Sequence, residues 1–214
     1  MSTKGSFAVE CPHCGEGFDA DFWTVVRGDL DLDVKELIFS GEFDILLCPK
    51  CSKLFQHEEP FLYIDPSRDL LAFVMPESYL EKKDEWIARM KADYEPLRKG
   101  LNAMQGLAAE PLCLFGLAPL TALLENDRDR EEETEVMEFM AREEGMRLLP
   151  LKPAAARELD IPFSMPVVKG LAGRAASLKA AEALFARNDA LPRLKKLIAA
   201  LSALPGEEIP FLKR

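Results

Sequence analysis

Four of the five cysteines fall into two matched pairs, Cys11-Pro12-His13-Cys14 and Cys48-Pro49-Lys50-Cys51, with 33 residues between them. No other feature restricts the fold of this chain as much. A two-residue gap lets both sulfurs of one tight turn face the same ion. Two such turns, brought together by strands, complete a tetrahedron of thiolates at about 2.3 Å from a metal. Gly15 follows the first pair directly, where such turns often need a positive φ. The candidate ligands are therefore Cys11, Cys14, Cys48 and Cys51. Zn2+ is the expected ion and iron the rival, because paired thiolates of this spacing hold either metal.

The first pair alone also fits a redox couple. A redox CxxC sits at a helix N-terminus, where the dipole lowers the pKa of one thiol. Here the chain continues "GEGFDADFWTVV", whose glycines and aromatic, β-branched run read as turn and strand. A second pair then follows. The four-thiolate metal site is the leading reading and the redox couple the alternative. Cys113, in "PLCLFG", lies outside both pairs and reads as a buried core thiol.

The chain has 214 residues, 48% of them hydrophobic, enough for a globular core without disulfides. No apolar run approaches the roughly 20 residues needed to span a bilayer. The start, "MSTKGSFAVE", has no apolar segment of the secretory kind. A cytoplasmic protein with no membrane partner is expected, in a compartment where thiols stay reduced. The net charge of -10 is unevenly spread: residues 1–75 carry -8, residues 76–145 carry -8, and residues 146–214 carry +6. An acidic body repels phosphate backbones, which argues against nucleic acid on the N-terminal part. The basic last third could bind nucleic acid, or it could rest against the acidic body of its own or another copy.

Between the pairs, "GDLDLDVKELIFSGEFDILLC" begins with alternating acids. A calcium loop is excluded, since Val34 stands in the place of the loop glycine and Ser40 in that of the closing glutamate. Asp33 is instead expected to cap a short helix with Glu36 as its capping-box partner, and Gly41 to end it. "KLFQHEEPFLYID" and "DLLAFVMP" read as strands joined by the turn "DPSRD". His57-Glu58-Glu59 resembles the start of a zinc-protease helix, but Phe61 stands where the second histidine is needed. His57 is expected on an exposed strand or in a local hydrogen bond. Ser78 and Glu81 form a second candidate capping box. Trp86, Met90, Tyr94, Leu97, Leu101 and Met104 follow at helical spacing, with Pro96 as a possible break. "PLCLFG" and "MRLLPLK" read as strands, and "LAPLTALLENDRDREEETEVMEFMAREEG" as two helical segments. The prolines and glycines of residues 160–173 read as a linker. Beyond it, Leu171, Ala175, Leu178 and Phe185 mark one helix, and Leu194, Leu197, Leu201 and Leu204 another. These two are expected to form a hairpin docked on an acidic helical surface.

The two Cys-Pro-x-Cys motifs, the acidic "DLDLDVKELIFSGEFD" between them and "FLYIDPSRDLLAFVMP" after them resemble the CpXC domain family of bacteria. The resemblance covers roughly residues 6–140. It implies a zinc-binding module whose ligands map onto Cys11, Cys14, Cys48 and Cys51, and it implies no substrate or activity. One departure is visible: Ser52 follows the second pair, where a glycine is common.

These observations give an α+β protein: a zinc-ribbon-like β module with a β-hairpin extension, then a mainly helical C-terminal half. Three parts are expected: the module with its following helix at 1–107, an α/β extension at 108–160, and a C-terminal helical hairpin at 161–214. The leading function is a protein-interaction or regulatory module, acting on a protein partner or as a homodimer. The alternatives are an enzyme with a site of scattered carboxylates such as Glu42, Glu58 and Glu59, and nucleic-acid binding through the basic C-terminal third.

Overall fold

The computed structural model describes residues 1–101, 107, 109–168, 170 and 173–213, with the backbone alone for Glu95 and residues 97–101. Met104 and Leu171, and the side chains of Leu97 and Leu101, lie outside what is described. The protein is α+β, with a mixed sheet in the N-terminal part and a mainly helical C-terminal half. Its contacts group into two compact units, Met1–Leu123 and Leu124–Arg214.

In the first unit, β1 (Thr3–Glu10) and β2 (Gly17–Arg27) form an antiparallel hairpin whose turn holds the first cysteine pair. β2 then pairs in parallel with a strand more than thirty residues away. A parallel pair needs a long crossover, and here it consists of α1 (Leu32–Ser40) and a small hairpin, β3 (Ile45–Leu47) with β4 (Leu54–Gln56). The second cysteine pair forms the tip of that hairpin. β5 (Phe61–Asp65) and β6 (Leu70–Met75) follow, joined by a 3-10 turn at Pro66–Arg68. The turn is fixed by buried Asp65, which accepts hydrogen bonds from the Ser67 hydroxyl and the Arg68 N–H. α2 (Lys83–Leu101) continues through Pro96, and β7 (Leu112–Phe115) closes the sheet in the order β1-β2-β5-β6-β7. The central strands "FLYID" and "LLAFVM" are nearly continuous apolar runs because both of their faces are covered. Tyr63, Phe22 and Val26 are fully buried.

Several local expectations change. Asp33 does not cap α1. Asp31 holds the N-cap position, and its carboxylate accepts instead from the N–H and hydroxyl of Ser2, both at 2.6 Å. A tertiary partner has taken the group that a local cap would use. Gly41 does cap the C-terminus. The Ser78–Glu81 box is also absent: these residues lie within a 3-10 segment, Glu77–Lys82, whose first N–H donates to the Glu58 carboxylate at 2.8 Å. "HEEP" breaks what reads as one strand into β4 and β5. Cys113 is half-buried on an edge strand rather than in the core, and desolvation raises its pKa.

α3 (Ala118–Glu143) is one 26-residue helix, not two segments, and the division between the units falls inside it. Nothing in "ENDRDREEETEV" breaks a helix. In the second unit come β8 (Met146–Pro150), α4 (Pro153–Leu159), β9 (Ser164–Val168), α5 (Arg174–Arg187) and α6 (Pro192–Ala203). The stretch expected as a linker therefore contains a strand. β9 pairs with β8 alone, and in a two-stranded sheet every strand is an edge, where Pro166 is tolerated. One apolar core joins Met137 and Met140 of α3, Ile161, Met165 and Val167, Leu184 of α5, and Leu194, Leu197 and Leu201 of α6.

The basic C-terminal helices rest on acidic α3 of the same chain. Arg187 pairs with Glu143 and Glu144, and Arg193 with Glu133 and Asp160. Asp127, itself buried, receives Arg130 and a bidentate Arg157. Arg157, Arg187 and Arg193 of the basic last third, together with Lys196 on Asp160, are thus neutralised inside the unit.

Candidate metal centre

Both cysteine pairs sit at hairpin tips, and the two tips share one backbone design. In the first, the Cys11 N–H donates to the Glu16 carbonyl and the Gly15 N–H to the Cys11 carbonyl, each at 2.9 Å. In the second, the Cys48 N–H donates to the Lys53 carbonyl and the Ser52 N–H to the Cys48 carbonyl, each at 3.0 Å. The fifth residue of each turn has a left-handed backbone: Gly15 at φ 68° and Ser52 at φ 55°. Gly15 adopts that conformation without a Cβ penalty, whereas Ser52 is strained there. The departure from glycine noted in the sequence is thus a real conformational cost, and the turn forms despite it.

The two tips converge. The Sγ atoms of Cys11, Cys14, Cys48 and Cys51 all lie within 4.8 Å of one another. Across the tips, Cys11 to Cys51 and Cys14 to Cys48 are each 3.7 Å. A tetrahedron with metal–sulfur bonds of about 2.3 Å has edges of about 3.8 Å, so the sulfurs already have the spacing that one ion requires. All four cysteines are free thiols. Cys11 and Cys48 are buried, Cys51 is half-buried and Cys14 is exposed. Lys50 reaches from the second tip to the Glu16 carboxylate of the first at 2.7 Å, a cross-link that the sequence did not reveal.

The protonation of the cluster is uneven. The backbone N–H of Cys51 donates to the Cys48 sulfur and, with that of Lys50, pulls this thiol down to about 6. The Glu16 N–H favours the Cys14 thiolate, but desolvation and the neighbouring thiols of Cys48, Cys11 and Cys51 push it up to about 12. Four sulfurs this close cannot all lose their protons unless a cation sits among them. A divalent ion supplies that charge and deprotonates its ligands outright. The donor set and spacing therefore fit a thiolate-bound metal ion.

The carboxylates considered for an enzyme site divide. Glu58 and Glu59 line a cavity with Asp44, His57, Phe43 and Phe61, whereas Glu42 does not. The cavity measures about 20 Å³, room for about one water. His57 is half-buried, 3.0 Å from the Glu59 carboxylate and against the Phe22 ring, which matches the expected local hydrogen bond. Burial pushes Asp44 up to about 7. Among the described residues, the four cysteines form the one group with metal-ligand spacing. No helix is long and apolar enough to cross a membrane among these residues.

No curated protein and no solved structure matches the chain. A family model described as CpXC protein matches residues 9–141, a span that contains all four converging cysteines, and the chain belongs to that family.

Proposed function

We propose that Cys11, Cys14, Cys48 and Cys51 bind one Zn2+ as a closed structural site, and that the module so stabilised serves protein interaction or regulation in the cytoplasm. The convergence of four sulfurs with 3.7 Å edges carries the metal assignment. Four thiolates complete a tetrahedral shell and leave no position for a water to be activated, which is the pattern of a structural rather than a catalytic zinc. The interaction role is supported by the closed four-sulfur donor set and by the small size, about 20 Å³, of the cavity that Asp44, His57, Glu58 and Glu59 line. Metal analysis of protein grown with zinc and iron both supplied should find one zinc per chain in a colourless preparation. A visible iron–thiolate band in freshly purified protein overturns the zinc assignment, and less than half an equivalent of any metal overturns the site.

A further inference from the structure

We infer that the outer face of the β3–β4 ribbon is a docking surface, and that its occupant is an extended segment of another protein that alternates aliphatic side chains and carries lysine or arginine at one end. This deepens the interaction role proposed above and rests on it. The argument begins with register. Leu47 pairs with Leu54 and Ile45 with Gln56, so these four side chains share one face of the ribbon. Ile45 is 43% exposed, Leu47 58% and Leu54 65%. The opposite face is covered: Leu46 and Phe55 are half-buried, and the Phe55 ring meets Phe18 of β2 edge-on at 6.2 Å. A ribbon that needed only one buried face would carry polar residues on the other. This one places three large aliphatics side by side in solvent, the kind of contiguous patch that marks an interaction site.

Backbone and charge narrow the occupant. Among the described residues, no strand pairs with the outer edge of β3 or of β4. An incoming extended chain therefore finds backbone donors and acceptors beside the aliphatic row, and its alternate side chains meet that row. At the open end of the ribbon, where the His57 N–H donates to the Asp44 carbonyl, stand the half-buried carboxylates of Glu58 and Glu59, with exposed Glu42 just before β3. At the knuckle end stand Lys50 and Lys53. A basic residue on the partner is drawn to the carboxylate end, which fixes its direction. Size argues against a second copy of this chain: a stable symmetric interface covers about 800 Å² per partner, and three aliphatic side chains supply a fraction of that.

The test selects random peptides displayed on phage against the full-length, metal-loaded protein, in parallel with the double variant Leu47→Ser/Leu54→Ser. Both leucines are exposed, so the variant should match the unaltered protein in metal content and melting temperature, and both are measured first. The expected result is enrichment of peptides that alternate aliphatic residues and place Lys or Arg at one end, and that bind the variant at least about tenfold more weakly. Enriched peptides that lack this pattern, that are acidic, or that bind both proteins equally overturn the inference, as does failure to enrich any. Metal content on the same preparation separates this failure from failure of the zinc assignment.

Discussion

Glu133 should decide how firmly α6 is held, and the structure permits a discriminating pair of substitutions. α6 begins at Pro192 with no capping side chain of its own. Its first amides instead reach across to α3: the Arg193 and Leu194 N–H groups donate to the buried Glu133 carboxylate at 3.2 and 2.7 Å. Glu133→Ala leaves both donors without an acceptor. A lost cap costs about 1 kcal/mol and an unsatisfied buried donor about 1–3. Relief works the other way, because desolvation raises the Glu133 pKa and shows that burying its charge is unfavourable. The balance is a loss of about 2 kcal/mol, or about 8–16 °C in melting temperature for a unit of this size. Glu133→Gln keeps a carbonyl acceptor without the charge and should cost less than about 1 kcal/mol. The sign of its pH dependence also follows. A carboxyl whose folded pKa is raised contributes stability that is lost as pH rises through that pKa, so the glutamine variant should gain on the unaltered protein from acid to neutral pH. Unfolding by guanidinium, followed by far-ultraviolet circular dichroism, measures both variants. Trp23 and Trp86 both lie in the first unit, so tryptophan fluorescence supplies a reference transition. An alanine variant within about 0.5 kcal/mol of the unaltered protein, or a glutamine variant as weak as the alanine one, would refute this account of the cap.

Cys48→Ala should lose the metal and leave the first unit open to protease, as measured by metal content and limited proteolysis; an unchanged melting temperature would show that the site is not structural. Ser52→Gly should raise the stability of the first unit by about 0.5–1 kcal/mol, since φ 55° is strained for serine and easy for glycine; a loss of stability on thermal melting contradicts that. Asp44→Asn should leave stability unchanged near pH 4 and raise it relative to the unaltered protein above about pH 7. Burial lifts the folded pKa of Asp44 to about 7, so the stabilising contribution of its neutral form disappears as pH rises through that value. Asparagine also tolerates the left-handed backbone at φ 58°. Parallel stability curves for the two proteins between pH 4 and 9 would sink the idea.

What the sequence disclosed was whatever depends on near neighbours in the chain. The cysteine pairs are legible because a two-residue gap is itself the geometry of a chelating turn. β2, β5 and β6 are legible because strand chemistry is dense there, and α6 because Leu194, Leu197 and Leu201 recur at helical spacing and are fully buried. The misreadings share a cause. Asp31, Glu58, Glu133 and Glu207 each accept from a backbone N–H far away in sequence, at Ser2, Glu77, Leu194 and Ala175. A local capping rule looks for partners three residues away. It missed that the distant Glu58 carboxylate takes the Glu77 N–H in place of a Ser78 box, and that α1 begins at Asp31, whose carboxylate turns to Ser2, rather than at Asp33. β9 was missed for a related reason. Proline and glycine signal a linker only if the segment lacks a pairing partner, and "MRLLP" supplies one. The ribbon's exposed leucines were invisible because alternation says which residues share a face, not which face is covered.

The position of the second cysteine pair gives a physical reason for a structural metal site of the kind proposed above. β3 and β4 have three residues each, and a two-stranded ribbon so short is not stable by itself. It lies within the crossover from β2 to β5, and its tip meets the β1–β2 hairpin through the Phe18–Phe55 ring pair, the Lys50–Glu16 ion pair and the four sulfurs. The ion pair is solvent-exposed and is worth little. One aromatic contact adds about 1 kcal/mol. Buried Val34, Ile38 and Phe43 hold the rest of the crossover, which leaves the ribbon tip as its weakly held part. The ion proposed above, shared by both tips, would add a binding free energy that is gained only when the ribbon is in place. The same reasoning joins the proposed zinc site to the docking face. Ile45, Leu47 and Leu54 form a surface only while β3 and β4 are held in register, and the cross-link that fixes this register lies directly beyond Leu47 and before Leu54. On the two proposals together, the ion at the tip would let a short ribbon present its apolar row to a partner without a core of its own beneath both faces.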